Sequence, residues 1–90
     1  MPKNTRLPAS AEQLRESIRA IVARIANIDV RDLGNDVLIR EELGIDSLKA
    51  MEIVAVCEKQ MEIAIDEGQL FAIKTVGDFF DLLEGLYSSK

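Results

Sequence analysis

Apolar side chains recur at helical spacing in separate stretches of the chain, and the polar residues between them mark where each stretch starts and stops. In the first, Leu14, Ile18, Ile21, Val22 and Ile25 step by three and four, with Arg15, Glu16, Arg19 and Arg24 mostly off that stripe. Ser10 followed by Gln13 is a capping-box pattern, so the spacing predicts a first helix over 10–26. Residues 27–46 lose the period. Asn27-Ile28-Asp29 and Gly34-Asn35-Asp36 are turn chemistry, and the connection is long for so small a domain. Its apolar members (Ile28, Val30, Leu33, Val37, Leu38, Ile39 and Leu43) are expected to pin it across the bundle. Val37 to Leu43 is expected to add a turn of helix.

The period returns over 47–61, the second helix. There Ala50, Ile53, Val54, Cys57 and Met61 cover one arc and form the core stripe. A second arc, nearly opposite, holds Leu48, Met51 and Ala55, flanked by Glu52 and Lys59. A small domain cannot easily bury both arcs, so the second reads as a docking surface, or as a face that the long loop covers. Ile63 to Ile65 reads as a short extended stretch. A brief third helix over 67–72 would carry Leu70, Phe71 and Ile73 towards the core, although Gly68 weakens it. The last helix starts with Thr75 as N-cap and Asp78 three residues on, and carries a broad face of Val76, Phe79, Phe80, Leu82, Leu83 and Leu86. Residues 85–90 are expected to fray. The fold class is therefore all-α: a four-helix bundle of three longer helices and one short one, with a long loop between helices one and two. Residues 1–8 read as a flexible leader, 9–87 as the domain and 88–90 as a frayed tail.

Composition narrows what such a bundle can do. Ninety residues make one domain near the small end of what buries its own core. The single cysteine, Cys57, excludes an internal disulfide framework and fits a reducing compartment. No apolar run approaches the roughly 20 residues of a membrane span, and the N-terminus lacks a signal-peptide core, so a cytoplasmic protein without a membrane span is expected. With no histidine, serine–histidine and cysteine–histidine catalysis are excluded, and no cluster has metal spacing. An independent enzyme is not expected. Residues 1–26 hold five bases against two acids, a balance of +3, while residues 27–90 hold six against fourteen, a balance of −8. An acidic body argues against nucleic acid and favours basic protein partners, or serves solubility alone.

The stretch that could carry chemistry is Gly44-Ile45-Asp46-Ser47-Leu48-Lys49. Glycine breaks the preceding run, Asp46 is a good N-cap, and Ser47 falls in the first helical turn, where orphan N–H groups and the dipole favour anions. A serine there is either a cap substitute or a place to hang a phosphate. Cys57 reads as a small buried hydrophobe, with a redox or acyl-accepting role as the alternative. Glu41-Glu42 and Asp66-Glu67 read as solvated ends, with a divalent-cation site as the alternative.

Leu43-Gly44-Ile45-Asp46-Ser47-Leu48, the long loop before it, the amphipathic helix after it and Thr75-Val76-Gly77-Asp78-Phe79 together resemble the acyl carrier proteins, over about residues 10–86. The resemblance implies that Ser47 Oγ is the attachment point of 4′-phosphopantetheine, placed there by a separate phosphopantetheinyl transferase using coenzyme A. The thiol of that arm would hold an acyl group as a thioester. By the same resemblance Asp46 would serve as cap and recognition acid for the transferase, and Leu48 as its apolar contact. Met51 and Glu52, with Ala55 on the same arc, would face the acyl-loading and acyl-transferring enzymes. No metal and no nucleic acid are implied, and a monomer is expected. Two departures stand out: Lys49, where fatty-acid-type carriers usually place an acid, leaves the second helix formally neutral, and Gly68-Gln69-Leu70-Phe71 replaces the usual acid-rich turn. The implied carrier serves a fatty-acid, polyketide or related specialised biosynthetic pathway; the neutral helix favours a specialised carrier with a dedicated set of enzymes over a generic fatty-acid shuttle, and the altered turn leaves the cargo open. Two alternatives remain open: an aminoacyl or peptidyl carrier, and a small helical adaptor that binds a partner through the Leu48/Met51/Ala55 face.

Overall fold

The structure is a computed structural model, and it describes residues 7–89. Its helices are α1 (Ala11–Ala26), α2 (Ser47–Met61), the single turn α3 (Glu67–Leu70) and α4 (Val76–Ser88), with a 3₁₀ turn at Val30–Asp32 in the long loop. Local chemistry sets each start. Ser10, Asp46, Asp66 and Thr75 are all extended at the N-cap and accept a backbone N–H from their own first turn. At Thr75 the capping box closes with Asp78, as the pattern predicts. At Ser10 the reach-back of Gln13 goes one residue further, to the Ala9 N–H at 2.8 Å. Asn27 and Glu62 end α1 and α2 in the left-handed region, at φ of 59° and 55°.

The three longer helices meet on their predicted stripes. Leu14, Ile18, Ile21 and Val22 of α1 pack with Ile53, Val54, Cys57 and Met61 of α2 and with Val76, Phe79, Phe80 and Leu83 of α4. Each such side chain removed from water is worth about 1.5–3 kcal/mol before entropy is charged against it. The guanidinium groups of Arg15 and Arg19 lie 5.5 and 5.0 Å from the ring centre of fully buried Phe80. Arg15 also pairs with Glu84 and, at 3.7 Å, with Asp81, tying α1 to the acidic flank of α4.

The long loop behaves as expected in part. Leu33 and Ile45 are buried, and Ile28, Val37, Ile39 and Leu43 pack partly buried against the core. Val30 stays exposed, because it opens a 3₁₀ turn that Asp29 caps from outside. Val37 to Leu43 forms successive hydrogen-bonded turns instead of helix: the Leu38 carbonyl accepts from both Glu42 and Leu43, and Ile45 N–H bonds back to Ile39.

Ile63 to Ile65 is non-helical; Ile65 is buried and its N–H donates to Glu58 Oε2. Two further expectations are corrected. Leu70 and Ile73 turn partly inwards, but Phe71 is 85% exposed, since a one-turn helix offers a single inward position and Leu70 takes it. At the C-terminus the fray predicted from 85 is not found over Gly85 to Ser88. α4 runs through Gly85 to Ser88 and ends where Ser89 Oγ donates to the Gly85 carbonyl. Of the leader expected over 1–8, residues 1–6 lie outside the described residues, as does Lys90 of the tail; Leu7 and Pro8 are half-buried, and the Pro8 carbonyl accepts from Tyr87 Oη.

Candidate functional site

Ser47 is the first residue of α2, exposed, immediately after an N-cap whose carboxylate is already engaged. Asp46 Oδ1 accepts the Lys49 N–H at 2.9 Å, the third amide of the helix. The amides of Ser47 and Leu48 have no preceding helical carbonyl to bond, so the turn offers donors and the positive end of a 15-residue helix beside the hydroxyl. The approach is open. Gly44, at φ +67°, turns the chain just before the helix, and a Cβ built there would meet nothing within 4 Å. Buried Ile45 then pins the turn between Gly44 and Asp46 to the core.

Two anchors hold this turn that the sequence does not announce. Lys49 Nζ donates to the Ile25 carbonyl at 3.2 Å, one of the last carbonyls of α1, where a cation is favoured. The side chain that departs from the acidic pattern is therefore turned onto the scaffold. The second anchor lies further back in the loop. Leu38 bridges antiparallel to Thr75, Ile39 N–H donates to Lys74, and Val76 and Gly77 N–H donate to Val37 and Asn35. A Cβ at Gly77 would stand 2.9 Å from the Asn35 carbonyl oxygen, so the contact needs glycine. The start of α4 thus staples the loop whose far end carries Ser47. Gly77 alone could have hinted at a close approach; its partner is 42 positions away and unmarked by any motif.

The remaining expected site residues fall where their arc puts them. Leu48 is 80% exposed, Met51 45%, and Glu52 and Ala55 are exposed beside them. The loop does not cover this face. Cys57 is fully buried, and burial, with Glu58 nearby, pushes its thiol up to about 12, so it is a protonated core residue at neutral pH. That removes the redox and acyl-accepting alternative. Glu41, Glu42, Asp66 and Glu67 are all exposed, and no group of three or more candidate ligands among the described residues could hold a metal ion.

The arrangement suits one kind of chemistry. An exposed primary hydroxyl beside open helix-start amides can carry an esterified phosphate and place it where the backbone favours it. The neighbouring carboxylate, Asp46, uses Oδ1 to cap the helix.

Comparison with known proteins agrees with this geometry. Residues 16–83, most of the chain and including the whole of α2, match the family model described as "Phosphopantetheine attachment site". The chain is 34% identical over 83 residues to polyketide-8 synthase acyl carrier protein 2 of Streptomyces avermitilis, covering 92% of this chain and 91% of the relative. It is 38% identical over 63 residues to the acyl carrier protein of Onion yellows phytoplasma, covering 70% and 83%. The acyl carrier protein of a Sulfurovum species is 32% identical over 73 residues, covering 81% and 97%. Among the described residues no helix is long and apolar enough to cross a membrane. With both its match to the family model and its overlap with these relatives spanning most of its length, the chain belongs to the phosphopantetheine-binding acyl carrier proteins, which hold a covalent 4′-phosphopantetheine and are substrates of modifying enzymes, not enzymes themselves.

Proposed function

We propose that Ser47 Oγ bears the 4′-phosphopantetheine and that the protein carries acyl groups for a polyketide or related specialised pathway. The observation that carries the site is the exposed Ser47 hydroxyl at the start of α2, beside amides that no helical carbonyl satisfies. When bound, the arm supplies a terminal thiol that holds the cargo as a thioester. The chain's own residues do the rest: Asp46 fixes the first turn through the Lys49 N–H, Gly44 and Ile45 set its approach, and the helix start favours the phosphodiester. Asp46 and Leu48, exposed on either side of the hydroxyl, are what a phosphopantetheinyl transferase meets first. Met51, Glu52 and Ala55 continue the same face towards the acyl-loading and acyl-transferring enzymes. The pathway reading is supported by the Streptomyces relative, a polyketide synthase acyl carrier protein, and by the formally neutral α2.

The test is intact-protein mass after incubation with coenzyme A and a broad-specificity phosphopantetheinyl transferase, with Ser47→Ala alongside. Wild type is expected to gain one phosphopantetheine and Ser47→Ala none. No gain in wild type with several transferases would overturn the assignment and leave the helical adaptor as the better reading.

A further inference from the structure

Ser47 stands in the stretch of α2 that the core supports least. From Asp46 to Glu52 no residue is buried and only Ala50 is half-buried; Ile45 before the stretch and Ile53 after it are the nearest buried side chains. This exposure leaves the hydroxyl open, and it also leaves the first turn without core packing to hold it in place. Asp46 caps that turn from within, through the Lys49 N–H at 2.9 Å, so the cap fixes the shape of the turn and not its location. Among the described residues one hydrogen bond ties residues 46–52 to another element: Lys49 Nζ to the Ile25 carbonyl, at 3.2 Å. That carbonyl is in want of a donor. The Ala23 carbonyl accepts both the Asn27 and the Ile28 N–H at the end of α1, and no backbone N–H among the described residues reaches Ile25. An ammonium there also meets the negative end of α1, where an acid at position 49 would be repelled.

Resting on the carrier reading above, we infer that Lys49 is a positioning residue for the modification of Ser47. Its ammonium clamps the first turn of α2 to the end of α1 and so sets where the Ser47 hydroxyl stands when a transferase is bound. In the transfer, Ser47 Oγ attacks the phosphorus of coenzyme A that bears the pantetheine. The Oγ–P bond forms as the bond from that phosphorus to adenosine 3′,5′-bisphosphate breaks, and the hydroxyl proton leaves to the transferase or to solvent. Lys49 touches none of these atoms. The transferase meets exposed Asp46 and Leu48, which take no part in the clamp, so its binding changes little when the clamp is lost. What falls is the share of bound complexes with the hydroxyl in line, and transfer is steep in that placement. One exposed hydrogen bond from a charged donor is weak, so the effect is several-fold and not orders of magnitude. A guanidinium at position 49 can donate to the same carbonyl at the same helix end; a thioether cannot.

The experiment measures steady-state transfer from coenzyme A by a broad-specificity phosphopantetheinyl transferase, read as gain in intact mass while the carrier concentration is varied. Wild type, Lys49→Met, Lys49→Arg and Arg24→Met are compared, each shown by circular dichroism to be folded at the assay temperature. Arg24→Met removes an equally exposed base from the last turn of α1 and so controls for loss of charge alone. Lys49→Met is expected to lower kcat by about 5-fold and to move KM by less than ~2-fold. Lys49→Arg and Arg24→Met should each stay within ~2-fold of wild type in both constants. A second readout needs no transferase: in unmodified Lys49→Met the amides of residue 49 and Ala50 should exchange faster by ~3-fold or more, and in Lys49→Arg at the wild-type rate. An unchanged kcat or unchanged exchange in Lys49→Met, a loss carried by KM instead, a Lys49→Arg loss equal to that of Lys49→Met, or an Arg24→Met loss of that size would each overturn the inference. Failure of wild type to load with every transferase tried would overturn the carrier reading, and this inference with it.

Discussion

Along α2, Ile53, Val54, Cys57 and Met61 lie in the core, while Leu48, Met51 and Ala55 of the same 15-residue helix face solvent. The two arcs are built from similar side chains. What separates them is supply: one arc joins the core cluster with the apolar faces of α1 and α4, and nothing among the described residues covers the other. Burial is set by what stands opposite a residue, and an apolar arc left over when the bundle is complete is available to a partner. The outward arc also begins at Ser47, so the exposed hydroxyl and the uncovered face share one end of one helix.

The sharpest way to break this comparison is to truncate one residue from each arc. Ile53→Ala is expected to cost about 2–5 kcal/mol of stability, the usual penalty for emptying a packed aliphatic site. Leu48→Ala should move stability by no more than about 0.5 kcal/mol, as surface substitutions do. Urea unfolding followed by circular dichroism reads both, and a Leu48→Ala loss as large as that of Ile53→Ala would mean the outer arc is covered after all. A smaller effect sharpens the junction between the arcs. Asp46→Ala removes the acceptor of the Lys49 N–H and is expected to cost about 1 kcal/mol, with hydrogen exchange of the Lys49 amide accelerated more than that of amides in mid-α2.

The smallest expected effect concerns the staple between α4 and the loop. Asp78 accepts N–H bonds from Lys74 and Thr75, and these hold its carboxyl below the usual carboxylate range. A carboxyl with a lowered folded-state pKa stabilises the protein above its unfolded value, about 3.9, and that stabilisation is lost as pH falls through the folded value. The wild type should therefore lose stability on acidification through that window more steeply than Asp78→Asn. Thermal unfolding of the two proteins across about pH 2 to 6 measures it, and parallel curves would show that the cap carries no proton linkage.

Much of the site was legible in the residues because it is local. An N-cap, the first turn after it and a stripe repeated at three and four residues depend on neighbours within one or two turns, which is why Asp46, Ser47 and the two arcs of α2 stand where periodicity places them. The misplaced residues sit where that period stops. Phe71 follows a single turn of helix and Val30 opens a 3₁₀ turn, so neither belongs to a stripe, and hydrophobicity alone wrongly turns both inwards. Gly85 reads as a helix end, yet α4 continues past it because its apolar face is already docked and packing outweighs a cost of about 1 kcal/mol.

The order of the helices, their caps, the exposed serine and the division of α2 into two apolar arcs were thus determined by the sequence alone, since each follows from contacts a few residues apart. Only the tertiary structure decided that the loop is stapled to α4 through Leu38–Thr75 and Asn35–Gly77, and that Lys49 and Glu58 are spent inside the molecule. Those contacts run largely through backbone groups, which every residue carries alike. Their partners are fixed by which surfaces packing brings together, and no side-chain pattern announces them.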